Sequence, residues 1–371
     1  MNIYLDNAST TPLSNSMKEY LTSLLNEYGN PSSTHYIGEK ARNIIAKSRL
    51  KIASFINANV DNIYFTCSGS ASNTLGIKGF IQKNNYNVFY SPIAHKSILK
   101  IMENINSTSL KVDEHGYIDI NDMENSIMGR KPFLIIDYAN SEIGTIQDIK
   151  SIIEIVHFYK GIVYLDCTGS IPTIPLNVKY LDVDMCGFSA HKLGGLKGCG
   201  VLYKKKNINL DPLIYGTQEK GLIGGTENVL GIASLGKAVE EYNYSSISSY
   251  SRDYVYNYIT DNIPDSYLIG ATIESGNRLP HNLYMCFKNI MGESLMILLD
   301  MNEIQVSTGS ACSSGIQSVS TTLSAINMND NDMRSCIRMS FSGKETEQEL
   351  IYVCENLKKG VQALRDINNE L

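Results

Sequence analysis

Phe188-Ser-Ala-His191-Lys192-Leu-Gly-Gly-Leu-Lys-Gly198 runs directly into Cys199-Gly-Val-Leu-Tyr203. The second run is nearly all apolar and reads as a buried strand. The first puts a lysine behind Ser-x-His and ahead of a glycine-rich turn. A lysine drawn into such a place is desolvated, which lowers its pKa and frees a neutral amine able to form a Schiff base with a carbonyl. Ser-x-His-Lys alone also suits a solvated loop, so the rest of the chain has to decide.

Working outward, apolar strand-like runs alternate with helical periodicity. Strands are predicted at Asn62–Thr66, Val88–Ser91, Phe133–Tyr138, Ile162–Asp166 and Val183–Phe188, with helices near Ala71–Gln82, Lys96–Ile105 and Ile149–Tyr159. This alternation implies an α/β fold with a mostly parallel sheet between helices. Ligands of such sheets bind beyond the carboxyl ends of the strands. Polar residues recur at those ends: Ser68-Gly69-Ser70, His95, Asn140-Ser141, Asp166 and His191-Lys192.

Toward the N-terminus, Tyr4 to Pro12 is rich in turn formers and reads as a loop lying across a site built elsewhere. Helices are expected over Met17–Tyr28 and Tyr36–Ile56. Beyond a helix at Asn228–Tyr242 the composition shifts. Asn282–Phe287, Gln305–Ser307 and Ile337–Ser340 then read as strands of a smaller α+β domain, closed by a helix from Thr346 to Ile367. The expected division is a large domain over 16–244 and a small domain formed by 1–15 with 245–371.

Composition narrows the function. A chain of 371 residues with 32 basic and 38 acidic side chains, net charge −6, has no clustered basic face for nucleic acid. No apolar run is long enough to span a membrane. Met1 to Asp6 lacks the basic and apolar regions of a secretory signal. The eight cysteines are scattered without a C-x-x-C pair, so neither a metal ribbon nor a disulfide framework is expected, and reduced thiols in a cytoplasmic setting are.

Several residues carry candidate chemistry. Thr66-Cys-Ser-Gly-Ser-Ala-Ser72 joins a strand to a helix start, where free amides and the helix dipole favour a phosphate; an ordinary Ser-capped turn is the competing reading. Asp166 ends an apolar strand and suits pairing with the protonated ring nitrogen of pyridoxal phosphate, or a simple turn. His95 offers a stacking imidazole or a plain loop residue. Cys312 lies in the small, polar stretch Ser307-Thr-Gly-Ser-Ala-Cys312-Ser-Ser-Gly315, where a thiol can reach a substrate. Arg338 is a lone charge on an apolar strand and requires an anion, either a substrate carboxylate or an internal Asp or Glu.

Taken together, these segments resemble the PLP-dependent cysteine desulfurases of the NifS/IscS-like group, within the class V aminotransferase family of fold type I. The resemblance spans the chain, through Tyr4-Leu-Asp-Asn-Ala-Ser-Thr-Thr-Pro12, Gly29-Asn-Pro-Ser-Ser-Thr-His35, Glu142-Ile-Gly-Thr-Ile-Gln-Asp148, Ser189-Ala-His-Lys192, Gly225-Thr-Glu-Asn228, Leu279-Pro-His-Asn-Leu283, Gly292-Glu-Ser-Leu295 and Ser307-Thr-Gly-Ser-Ala-Cys312. It implies that Lys192 carries pyridoxal 5'-phosphate as a Schiff base, His95 stacks on the ring and Asp166 holds its nitrogen protonated. Gly69, Ser70, Ser189 and His191 are implied at the phosphate, Ser141 beside the ring, and Thr226 at the cofactor of a neighbouring subunit, hence a homodimer. Asn7, Ala8 and Arg338 are implied at the substrate, L-cysteine. Cys312 would take its sulfur as a persulfide, for delivery to an acceptor protein such as an iron–sulfur scaffold or a thiolation enzyme.

Four positions depart from that pattern. Ser141 stands where the group has Asn, Gly169 where it has Gln, Ala71 where it has Glu and Ile223 where it has Arg. Ser141 is expected to replace one lost hydrogen bond and a water to occupy the space beside Gly169. These departures leave two alternatives: a PLP enzyme for another β-substituted amino acid, such as a selenocysteine or C–S lyase, or a weakened dimeric scaffold.

Overall fold

The computed structural model describes residues 2–308 and 320–370. The chain enters through a two-residue strand, β1 (Ile3–Tyr4), and two helices, Asn15–Leu24 and Tyr36–Phe55. Seven strands of one sheet follow: β2 (Ile63–Thr66), β3 (Asn87–Tyr90), β4 (Ser107–Ser109), β5 (Pro132–Asp137), β6 (Ile162–Asp166), β7 (Met185–Ser189) and β8 (Gly200–Lys204). Their spatial order is β2-β8-β7-β6-β5-β3-β4. β4, β3, β5, β6 and β7 run parallel, whereas β8 is antiparallel to both of its neighbours. β2 therefore points the same way as the parallel set, and the carboxyl ends of β2, β3, β5, β6 and β7 all open at one edge.

Strands β5 and β7 are buried along their whole length, which is why they read as unbroken apolar runs. The covering helices bury a stripe. In Ile149–Phe158, Ile149, Ile152, Ile153 and Val156 face the core, and Asp148 caps the start by accepting from the Ser151 amide. At the sheet's antiparallel side, Gly200 is dictated by close approach. A Cβ there would lie 2.5 Å from the Ser68 carbonyl carbon, in the turn that leads to the site.

A second sheet holds β9 (Ser266–Leu268), β10 (Asn282–Phe287) and β12 (Cys336–Ser340), antiparallel in the order β12-β10-β9. β11 (Ile304–Gln305) pairs in parallel with β1, which ties the N-terminal segment to this part of the fold. Helices Tyr250–Asn262, Gly292–Met301 and Glu347–Glu370 pack around it, with an apolar core that includes Leu5, Leu283, Met285, Phe287, Ile337 and Leu357.

The expected strand over Gln305–Ser307 is corrected. Only Ile304–Gln305 is strand, and Ser307 instead makes an isolated antiparallel bridge to Arg338. The first helix ends at Leu24 rather than Tyr28. Among the described residues, no helix is long and apolar enough to cross a membrane.

Candidate active site

The aligned strand ends frame a cavity of about 520 Å³, within the range of small-molecule and cofactor sites. It is lined by Ser68, Gly69, Ser70, His95, Ser141, Asp166, Ser189, His191, Lys192 and Arg338, together with Asp6, Ala8 and Asp137. Most of the residues singled out from sequence thus converge on one space.

One wall is a cradle of small groups. The helix Gly69–Lys83 begins there, with Ser68 as its cap, accepting from the Ala71 amide at 3.1 Å. Gly69 lies close enough that a Cβ would meet Thr168 Oγ1 at 3.1 Å and Ser189 Cβ at 3.4 Å. Ser189 is 2% exposed, and its buried hydroxyl has no hydrogen-bond partner. A buried hydroxyl beside a helix start is a site waiting for an anionic acceptor. His191 donates to or accepts from Thr10 Oγ1 at 3.1 Å, and burial followed by the Lys192 charge lowers its pKa to about 4.

The floor is a polar network. Asp166 receives the Asn73 side-chain amide on Oδ2 at 2.7 Å and the Thr168 amide on Oδ1 at 2.8 Å. Asn73 also donates to Ser97 Oγ at 3.0 Å and accepts from Tyr164 Oη at 2.7 Å. Ser97 in turn contacts His95 Nδ1 at 2.8 Å. The imidazole and the carboxylate are thereby oriented through one shared network. His95 opens to the cavity but is crowded by protein elsewhere, and that desolvation lowers its pKa.

Lys192 follows β7 on a short helical turn, partly buried. Burial, and then the nearby Arg338 charge, bring its pKa down to about 8. Opposite, Arg338 on β12 is 7% exposed. Its Nη2 donates to Asp6 Oδ1 at 2.8 Å and Ser9 Oγ at 2.9 Å, and its Nη1 to the Ser141 carbonyl at 3.3 Å. Its Nε is buried without a partner. The internal acid left open by the sequence is Asp6, and Nε is a donor still to be used.

The family follows from comparison with known proteins. Residues 3–353 match the family described as aminotransferase class-V. The chain belongs to the class V aminotransferase family. Cysteine desulfurase IscS of Dictyoglomus turgidum is 36% identical over 382 residues, covering 99% of this chain and 96% of that protein. The IscS of Methanosarcina thermophila is 34% identical, covering 99% and 93%. A solved NifS-like protein from Rickettsia africae superposes with a TM-score of 0.89 at 29% identity, covering 98% of this chain and 100% of that one.

In this member of the class V family, Gly169 and Ser141 meet at one corner of the cavity. At Gly169 a Cβ would meet the Ala139 carbonyl oxygen at 2.7 Å and Ser141 Cβ at 3.1 Å. A side chain at this position would thus press on the loop that carries Ser141, while Gly169 itself still lines the cavity. Asn140 holds that loop: its Oδ1 accepts from the Glu142 and Ile143 amides at 2.8 and 2.9 Å, and its amide donates to the Ile93 carbonyl at 2.7 Å.

Not every expected residue comes to the cavity. Asn7 turns its amide to the Ser340 and Tyr4 carbonyls and lines an adjoining cavity instead, which shares Ala8, Ser141, Gly169 and Lys192 with the first. Thr226 is exposed and does not line the cavity of its own chain. Cys312 lies outside the described residues. Asn73, Ser97, Thr168 and Asp137 had gone unnoticed. Only Asp137 left a trace in sequence, as the single acid in the run Phe133–Tyr138.

Proposed function

We propose that the chain is a PLP-dependent cysteine desulfurase, converting L-cysteine to L-alanine and passing sulfur to Cys312 as a persulfide. The observation that carries this is Lys192, poised between the orphan hydroxyl of Ser189, the fixed carboxylate of Asp166 and the open Nε of Arg338. That donor set matches a phosphate, a protonated ring nitrogen and an amino-acid carboxylate on three sides of one amine. When bound, pyridoxal phosphate supplies the electron sink that makes the substrate's Cβ–S bond cleavable.

In this reading, Ser189, His191 and the amides at Gly69 and Ser70 hold the phosphate. Asp166 would hold the ring nitrogen in its protonated form, His95 would cover the ring, and Ser141 would lie beside it. Thr226 reaches the site of a second copy, so the working unit is a homodimer. Arg338 orients the substrate carboxylate next to Ala8 and Asn7. Lys192, titrating near 8, is suited to moving a proton at the substrate Cα near neutral pH. Cys312 attacks the substrate sulfur: an S–S bond forms as the Cβ–S bond breaks. A thiol plus cysteine becomes a persulfide plus alanine, with no external oxidant. Solved SspA in complex with cysteine, 28% identical with a TM-score of 0.80, is consistent with this substrate class.

The persulfide is then handed to an acceptor protein. Residues 16–244 form the cofactor-bearing domain, and 1–15 with 245–371 the domain that supplies Arg338 and Cys312. The test is alanine formation from L-cysteine by purified, PLP-loaded protein, with persulfide on Cys312. A colourless protein that makes no alanine would overturn the reading. A second reading changes the substrate to another β-substituted amino acid, such as selenocysteine, and Ser141 and Gly169, standing where the group has Asn and Gln, favour it. It predicts turnover that survives Cys312→Ala.

A further inference from the structure

Asp137 ends β5 and pairs in register with Asp166 at the end of β6. Side chains at paired positions of parallel strands point to the same face, with their strands about 5 Å apart. Two carboxyl groups therefore stand side by side under the cavity. Asp137 is 7% exposed, lines the cavity and leaves its buried Oδ1 without a hydrogen-bond partner. The His95 amide donates to its carboxyl group. Asp166, by contrast, is fully engaged through Asn73 and Thr168.

Two adjacent buried carboxylates do not both ionise readily, because each negative charge disfavours the other. Asp166 accepts from two donors, whereas Asp137 leaves one buried carboxyl oxygen without a partner. The groups facing Asp137 are Asp166 and Tyr164 on β6, His95 after β3 and Lys192 after β7. Burial and then the Asp166 charge raise its pKa well above the usual carboxylate range, outweighing the Lys192 charge and the His95 amide.

We propose that Asp137 is a positioning residue: a neutral carboxylic acid that donates its proton to Asp166 and so moderates the negative charge presented to the cofactor ring. This rests on the cofactor reading above. With Asp137 donating, part of the acceptor capacity of Asp166 is taken up by that hydrogen bond, and its grip on the ring nitrogen is correspondingly softer.

Two variants separate this from a charged or a merely structural role. Asp137→Asn keeps a neutral donor, and Asp137→Leu removes it at similar size. The holoenzyme's cofactor absorbance is titrated with pH. Asp137→Asn is expected to follow wild type within about 0.2 pH unit, while Asp137→Leu shifts the apparent pKa upward by about 0.5–1 unit, as Asp166 becomes a denser charge. A downward shift in both variants would show that Asp137 is ionised and would overturn the proposal, as would coincidence of Asp137→Leu with wild type. The infrared difference between cofactor-free wild type and Asp137→Asn gives an arm independent of folding in the leucine variant and of cofactor binding. A protonated-carboxyl carbonyl band at neutral pH supports the proposal, and a carboxylate band in its place refutes it. Failure to take up cofactor, with the carbonyl band present, would count against the cofactor reading alone.

Discussion

Asp6 and Arg338, at opposite ends of the sequence, form a 2.8 Å ion pair at the mouth of the cavity. The pair joins the N-terminal loop to β12 and neutralises a largely buried guanidinium. Arg338→Ala is expected to raise KM for L-cysteine about 10–100-fold, the loss of a charge-assisted carboxylate contact, with a smaller effect on kcat. Asp6→Asn keeps the Ser9 and Ser141 contacts and removes a competing carboxylate, so its KM should be no higher than wild type. Steady-state kinetics of the two variants check this.

Lys192 titrates near 8 because burial disfavours its charged form. Only the neutral amine attacks an aldehyde. Uptake of pyridoxal phosphate by cofactor-free protein should therefore accelerate about tenfold per pH unit below that value and level off above it. The same group links stability to pH. The unfolded chain binds its proton up to about pH 10.4, so the buried lysine's penalty shrinks as pH rises from about 8 through that window. Stopped-flow absorbance measures the uptake profile, and Lys192→Ala should show none.

Ser189 has a buried hydroxyl without a partner. Ser189→Ala should weaken cofactor binding about 10–100-fold, corresponding to about 1.5–3 kcal/mol for a hydrogen bond to a charged group. The cofactor-free variant should melt no lower than wild type, because the orphan group is removed with no bond lost. Reconstitution titrations and melting curves together distinguish this from general damage.

Gly169→Gln should not improve the enzyme. Its Cβ would press on the Ala139 carbonyl oxygen at 2.7 Å and on Ser141. Displacing that backbone costs about 1–3 kcal/mol. The expected result is a melting temperature lowered by several degrees and weaker cofactor binding, read by calorimetry and absorbance.

The frame of this site was visible in sequence because buried strands such as β5 and β7 are unbroken apolar runs ending in polar residues. The sense of β8 was not visible, since a strand buried on both faces looks the same in either direction. Helix Tyr250–Asn262 escaped because only Ser251, Arg252, Val255 and Ile259 are buried in it, and its tyrosines blur the period. Asn73 looked like an ordinary helix residue. Its link from Asp166 to Ser97 depends on three segments meeting in space. The close approach of the Ala139 carbonyl and Ser141 to Gly169 was equally out of sight, because it depends on how two loops meet in space.

The stretch bearing Cys312 is footed on both sides by groups of the cavity itself. Ser307 exchanges backbone hydrogen bonds with Arg338 at 3.0 and 2.6 Å, and Ser320 donates to Glu142 at 2.5 Å. The residues of 309–319 other than Cys312 can thus be exchanged between two anchors that lie outside them. Such an exchange would leave the backbone bonds to Arg338 and the Ser320–Glu142 contact intact.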